Sequence, residues 1–518
     1  MINAAFNLIG ENVLSTLLYV YLAIEVTFYF IYDFYFVPKA NEWVEPQPYR
    51  DYGKDRCRIV VRILTRVAKL AHYRGQTTRE GIRDYILGCY DPITITSSTA
   101  EKEDIVTFFN EKPLSEIPGL RRLSTGATSS TLSSNSSQSS ADLCSDDQSE
   151  KEEDSQTAST RWTIPELGRA DLEHLLCWAC FGKKRERFLE WEEHELTRTV
   201  NTIEERYGLY FTPGSTGRFK ARNLSLDDGN SLHRPLLVYL IGMVFYFLGS
   251  CVLRMAGFRR TVTSNGLVGW YRSPQNDSAA KQLPYIFFHG IAPGCLFFYT
   301  PALLFGLFND GRAQFLIELP NITWRIGFHV LSETEFVEGV AEVVNSYLPE
   351  DQPLSIIGHS FGSVPMTWLM HAPEFRSRIR QYALLDPVTL KLSEKDIMVN
   401  FLYTKKLNRI RVLAGSELFT EYYLRRHFFF FNSELWLEDI PETTHSLIFL
   451  SENDEIVNAP DVKELIDYHR EASPQQKLHL TYWEGVNHGH WISKPGEWRK
   501  IKAFLLEQEL SILRETRL

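Results

Sequence analysis

Ser360 stands in Gly358-His359-Ser360-Phe361-Gly362, at the end of the short apolar run Leu354-Ser355-Ile356-Ile357. Glycines two residues to either side remove Cβ atoms where a sharp strand-to-helix turn forces the backbone close to its neighbours, leaving the serine hydroxyl at the tip. A hydroxyl held in this way is placed to attack an electrophilic carbon. Near neutral pH it is a weak nucleophile, so a base must take its proton as it attacks. Residues with the right chemistry follow other apolar runs: His289-Gly290, Asp386, Asp454, and His488 with His490 two positions on.

The elements that must position these groups alternate along the C-terminal half. Runs at 283–288, 315–319, 354–358, 382–385, 447–450 and 478–482 read as buried strands, each separated by enough chain for a crossover helix, and this predicts a parallel sheet wound with helices. Residues 259–264 and 267–271, broken by Asn265-Gly266, predict a β-hairpin in front of it. Residues 388–442 are longer than a crossover needs and crowded with bulky side chains, including Phe428 to Phe431 and Trp436. They predict an insertion at the carboxyl edge of the sheet, a lid over the site, with additional core as the alternative.

The ordered set His289-Gly290, Gly358-His359-Ser360-Phe361-Gly362, Asp454 after a strand and His488 after the last strand resembles the α/β-hydrolase superfamily in its lipase and esterase branch. The likeness covers about residues 259–518. It implies a serine, acid and histidine in that order, each on a loop at the carboxyl edge of the sheet. On that pattern Ser360 is the nucleophile, His488 the base and Asp454 the acid that orients the imidazole, while the backbone N–H groups of Phe361 and Ile291 receive the oxyanion and His289 and Gly290 shape its loop. Asp386 is the alternative acid, because some members carry it one strand earlier, and His490 the alternative base. Ser451 stands where the family usually has glycine. Neither metal nor other cofactor is implied.

A chain of 518 residues with a net charge of -10 has no excess of basic residues to bind nucleic acid. Seven scattered cysteines make neither a disulfide framework nor a zinc site; Cys177 and Cys180 sit among apolar residues and read as a helix face. Residues 13–37 and 235–253 are apolar stretches of about spanning length, the first carrying Glu25 and Asp33 and the second uncharged. One span would leave the C-terminal half on the same side as the chain that follows the first stretch; two would return it to the other. Between them, 57–72 predicts an amphipathic helix for a membrane surface or a partner helix, 124–159 is too polar to order itself, and 161–210 reads as helical with a carboxylate-rich face at Glu190 to Glu195.

The resulting expectation is an α/β-hydrolase fold with a mostly parallel sheet, a helical lid insertion and a largely helical N-terminal region with one or two transmembrane segments. Its boundaries are an anchor at 1–40, helical regions at 41–122 and 161–234 around a Ser-rich linker at 123–160, a second membrane segment at 235–256, and the hydrolase domain at 257–518. The expected partners are a membrane and a lipid or other hydrophobic acyl ester, with no nucleic acid. The same side chains would serve acyl transfer, thioester cleavage or peptide cleavage, and a silent membrane scaffold could keep the fold.

Overall fold

The computed structural model describes residues 2–47, 53, 55–93, 162–404 and 410–515, with side chains from Ser15 onward. The Ser-rich segment 123–160 lies outside the described residues. The first helix, α1 (Ile2–Ile31), continues through a wider turn to Ala40. Glu25, costly in the middle of an apolar helix, accepts hydrogen bonds from the backbone N–H groups of Leu236 (2.8 Å) and Leu237 (3.1 Å). Those are the first free donors of the other long apolar helix, so the carboxylate meets a partial positive charge.

The described residues of the region between include four helices, α2 (Arg56–Tyr73), α3 (Thr78–Gly88), α4 (Arg169–Phe181) and α5 (Glu190–Tyr207). The apolar stripe of α2 turns inward, burying Val60, Ile63 and Leu64 against the neighbouring helices rather than facing a membrane. Cys177 and Cys180 are buried as free thiols in the same core. The acidic run on α5 is partly structural: buried Glu192 pairs with Lys183 at 2.9 Å and accepts from the backbone of Leu189, and Glu195 accepts from the backbone of Cys57. The region that reads as helical also holds two strands, Trp162–Gly168 and Leu209–Thr212, paired in parallel.

Then α6 (Leu236–Met255) leads into an eight-stranded sheet: β1 (Arg259–Val262), β2 (Val268–Arg272), β3 (Tyr285–Phe288), β4 (Gln314–Ile317), β5 (Leu354–His359), β6 (Ile379–Leu385), β7 (His445–Asn453) and β8 (Leu478–Asn487). Their spatial order is β8-β7-β6-β5-β3-β4-β2-β1. All neighbours are parallel except at β2, which runs against both β1 and β4. This is the α/β-hydrolase fold. Its strands are apolar on both sides because both sides are covered: Ile286, Phe288, Ile356 and Leu384 face one core, and Tyr285, Phe287, Ile357 and Leu385 face the other. The first core is closed by α7 (Glu333–Asn345), α8 (Ser363–His371) and α10 (Ala459–Ala472), with the insertion's α9 (Leu418–Arg426) at its edge; α11 (Pro495–Glu515) and the apolar segment Phe297–Leu307 close the second.

The insertion between β6 and β7 does two things. Tyr423 and Phe428 pack on Phe361, beside Ser360, while Phe429, Phe431 and Trp436 complete the core of the N-terminal helices. Arg66 of α2 pairs with buried Glu434 at 2.7 Å and lies 4.4 Å from the centre of the Trp436 ring. Of the two alternatives, additional core is what the buried side chains show, and the same segment also packs against Phe361. Phe431→Ala is expected to remove roughly 3–5 kcal/mol of stability, as large-to-small changes at buried aromatics do. Denaturant titration of the full chain in detergent checks this; a loss under about 1 kcal/mol would mean that this core carries little of the fold.

Candidate active site

Ser360 follows β5 and opens the short turn into α8 at φ +52°, a left-handed conformation that residues other than glycine rarely adopt. Its neighbours make room for this. A Cβ on Gly358 would come within 2.2 Å of Met366 Sδ, and one on Gly362 within 2.2 Å of the Phe288 carbonyl oxygen. Gly290 approaches from β3, where a Cβ would sit 3.0 Å from the Cβ of Ser360. Three glycines thus bring the turn, the start of α8 and the loop after β3 against one serine.

His488 follows β8 and meets that serine. Its Nε2 lies 2.8 Å from Ser360 Oγ, and its Nδ1 lies 2.6 Å from Asp454 Oδ2. With Nδ1–H donating to the carboxylate, Nε2 is left as the acceptor for the serine hydroxyl. Asp454, just beyond β7, is itself held by the backbone N–H groups of Ile456 and Val457, at 2.8 and 2.9 Å on Oδ1. The backbone N–H of His488 and the side-chain amide of Asn487 both donate to Glu455, fixing the loop.

Asp386 is close but engaged differently. Fully buried at φ +46°, it accepts from Ser451 N (2.8 Å), Ser451 Oγ (3.1 Å) and Gly489 N (2.8 Å). Ser451 therefore contributes a donor that glycine could not, and Asp386 ties the end of β7 to the residue after His488. The structure joins the imidazole to Asp454, and Asp386 to the loop that carries it. Among the described residues, Asp386, Asp454 and His488 form the one grouping with metal-ligand spacing, yet all four carboxylate oxygens already accept hydrogen bonds. His490 lies beyond the pair, on the short turn that ends at Ser493.

The loop after β3 is built on its own side chains. His289 donates from Nδ1 to the Gly290 carbonyl (2.8 Å) and accepts at Nε2 from Leu319 N (2.9 Å), and burial holds it neutral by pulling its pKa down to about 4. Tyr299 was not singled out from the sequence. Its hydroxyl accepts from the Gly290 N–H at 3.0 Å and meets His359 Nδ1 at 2.8 Å. With the Gly290 N–H so occupied, the next donor along the loop is Ile291, half-buried against the first core. The signal for Tyr299 was slight, one tyrosine in an apolar run. Burial, then the neighbouring His488 and His289, hold His359 well below the ordinary histidine range.

An apolar cavity of about 30 Å³ lies against Phe361, lined by Leu319, Ile322, Phe336, Pro365, Trp368 and Tyr423. It has room for about one water molecule. Tyr423, on the insertion, forms part of its wall.

No family model and no curated protein matches the chain. Solved structures do. The chain is similar to a carboxylesterase of the thaumarchaeon Nitrososphaera gargenis (14% identity, 50% of this chain and 100% of that one, TM-score 0.36). It is similar to esterases of the fungus Rhizomucor miehei (15%, 55% and 94%, TM-score 0.39) and to a bacterial membrane phospholipase A described as a virulence factor (12%, 54% and 94%, TM-score 0.34). Likeness at this level says nothing of what the present chain binds or cleaves.

Burial alone would lower the pKa of His488, but Asp454, with Asp386 and Glu455 behind it, raises it to about 9. A histidine whose pKa is raised on folding stabilises the fold fully below its unfolded value near 6.5, and that contribution is lost as pH rises through about 9. Thermal melts between pH 6 and 10 should therefore show stability falling across this window in the wild type and a flatter profile in Asp454→Asn. Equal slopes in both would show that the pair contributes nothing there.

Proposed function

We propose that the chain is a serine hydrolase of carboxylic esters with hydrophobic acyl groups, acting through an acyl-enzyme on Ser360. The observation that carries this reading is the hydrogen-bonded line from Asp454 Oδ2 through His488 to Ser360 Oγ, at 2.6 and 2.8 Å. His488 Nε2 takes the hydroxyl proton as Oγ attacks the ester carbonyl carbon, and Asp454 holds the tautomer and stabilises the imidazolium. The carbonyl oxygen, now negative, receives the backbone N–H groups of Phe361 and Ile291. As the C–O bond breaks, the imidazolium returns its proton to the leaving alcohol. Water then repeats the sequence on the acyl-enzyme and frees the acid.

A serine nucleophile and an apolar cavity favour acyl chemistry on a greasy substrate. The aromatic cover of Tyr423 and Phe428 over Phe361 supports a lid that must shift before a long acyl chain enters. The long apolar α1, bare of packing along much of its length, supports attachment to a membrane where such esters reside.

Variants test the roles. Ser360→Ala should abolish hydrolysis of p-nitrophenyl esters, Asp454→Asn should cost roughly 10³–10⁴-fold in kcat, and Asp386→Asn far less, because only the first leaves the imidazole without its partner. Since the base must be unprotonated, kcat/KM in the wild type should climb with pH toward about 9. Removing the Asp386 charge should move that limb to lower pH. Comparable losses in the two aspartate variants would overturn the assignment of the acid.

A further inference from the structure

One stripe of α6 is covered and the rest is not. Tyr239, Gly242, Gly249 and Leu253 are buried, with Tyr246 half-buried between them, so positions three or four apart face the protein. The contact is close: a Cβ on Gly249 would reach 3.1 Å from Phe297 Cα, and one on Gly242 3.4 Å from Trp324 Cβ. Phe245 stacks on Phe297 at 5.0 Å, and the Tyr246 hydroxyl donates to buried Glu318 at 3.2 Å. The opposite face holds Leu237, Leu240, Ile241, Val244, Phe247 and Leu248, all exposed, with no charge among them. Phe298, which packs edge-on against Phe245, and Phe305 are also exposed, on the segment Phe297–Leu307. Water does not sustain an apolar face of this size on a helix.

At 20 residues, apolar but for Ser250 and Arg254 in the last turn, α6 is long enough to cross a bilayer. The chain on its two sides excludes a crossing. The described residues of 55–234 and of 257–515 would lie on opposite faces of the membrane, yet they build one body. Ile63 and Val200 share a core with Phe429 and Trp436. Arg74 pairs with Glu464 at 2.8 Å, and Arg426 donates to the Ser225 carbonyl at 2.7 Å. A spanning α6 would sever all of these.

We propose that α6 lies in the plane of a membrane, its outer face set among the acyl chains of an anionic lipid surface and its inner face packed on the sheet. Such helices sit about 5–10 Å deep, at the boundary of headgroups and chains. Charge favours this occupant: exposed Arg254, Arg259 and Arg260 stand at and just beyond the end of α6, and exposed Arg325 follows the tryptophan on which it packs. Glu25 fixes α1 to the start of the same helix, so the two apolar elements meet the membrane together. The segment between Ile291 and Leu307 lies directly under α6, which puts the proposed oxyanion loop next to lipid. The seat rests on packing alone and would survive a silent Ser360.

The test uses the full chain with reporter cysteines, each measured against the unsubstituted chain. Arg218→Cys and Ser278→Cys flank α6 on exposed positions. In sealed microsomes, a membrane-impermeant maleimide should label both or spare both; labelling of one alone would establish a crossing and overturn the proposal. Met243→Cys, carrying an environment-sensitive dye and bound to phosphatidylglycerol vesicles, should be quenched more by a nitroxide held near the headgroups than by one at the end of the acyl chains. Stronger quenching from the chain ends, or none from either, would equally overturn it.

Discussion

The close approach of backbone around Ser360 is the constraint on which the site depends. Gly358, Gly362 and Gly290 come from the end of β5, the turn that follows it and the loop after β3, and none has room for a side chain. Because they pass so near, β5 can end in a left-handed serine while the loop after β3 lies against it. The parallel register of β3, β5, β6, β7 and β8 then delivers every other polar group of the site to the same edge. Asp386 makes that delivery accurate, since it bonds both the end of β7 and the residue following His488. A buried carboxylate so engaged has its pKa pushed up by burial and drawn back by His488. It belongs to the charge balance of the imidazole even without touching it.

The N-terminal half is part of the same body rather than an appendage. Its helices enclose a core that remains incomplete until the insertion adds Phe429, Phe431 and Trp436. The insertion in turn touches Phe361, one residue from Ser360. Packing in the N-terminal helices and the position of the insertion beside Ser360 are therefore joined through one stretch of chain, 423–436. This also binds the sequence flanking α6 into one unit, which is why that helix is covered along one side only.

Much of the sheet was legible because strands covered on both faces must be continuously apolar, and the Gly-X-Ser-X-Gly run states its own geometry. The strand at Trp162–Gly168 was not, because Pro165 and Glu166 interrupt it and proline argues against a paired strand. The choice between Asp454 and Asp386 could not be read from order, since each follows a strand; it depends on which carboxylate the His488 loop reaches. Tyr299 stayed hidden for the opposite reason, as an unremarkable residue in an apolar run whose hydroxyl matters only once Gly290 is folded against it. Glu25 read as a defect in a membrane helix because its partners lie more than two hundred residues away.

The central claim is that acyl groups pass through Ser360. Rapid acid quench of the full-length chain with a p-nitrophenyl ester, followed by peptide mass spectrometry, measures this directly. The account predicts a single acyl adduct on the peptide containing Ser360, accumulating when the pH is lowered during turnover to slow deacylation and absent from Ser360→Ala. Turnover at the wild-type rate in Ser360→Ala, or an adduct on any other residue, would contradict it.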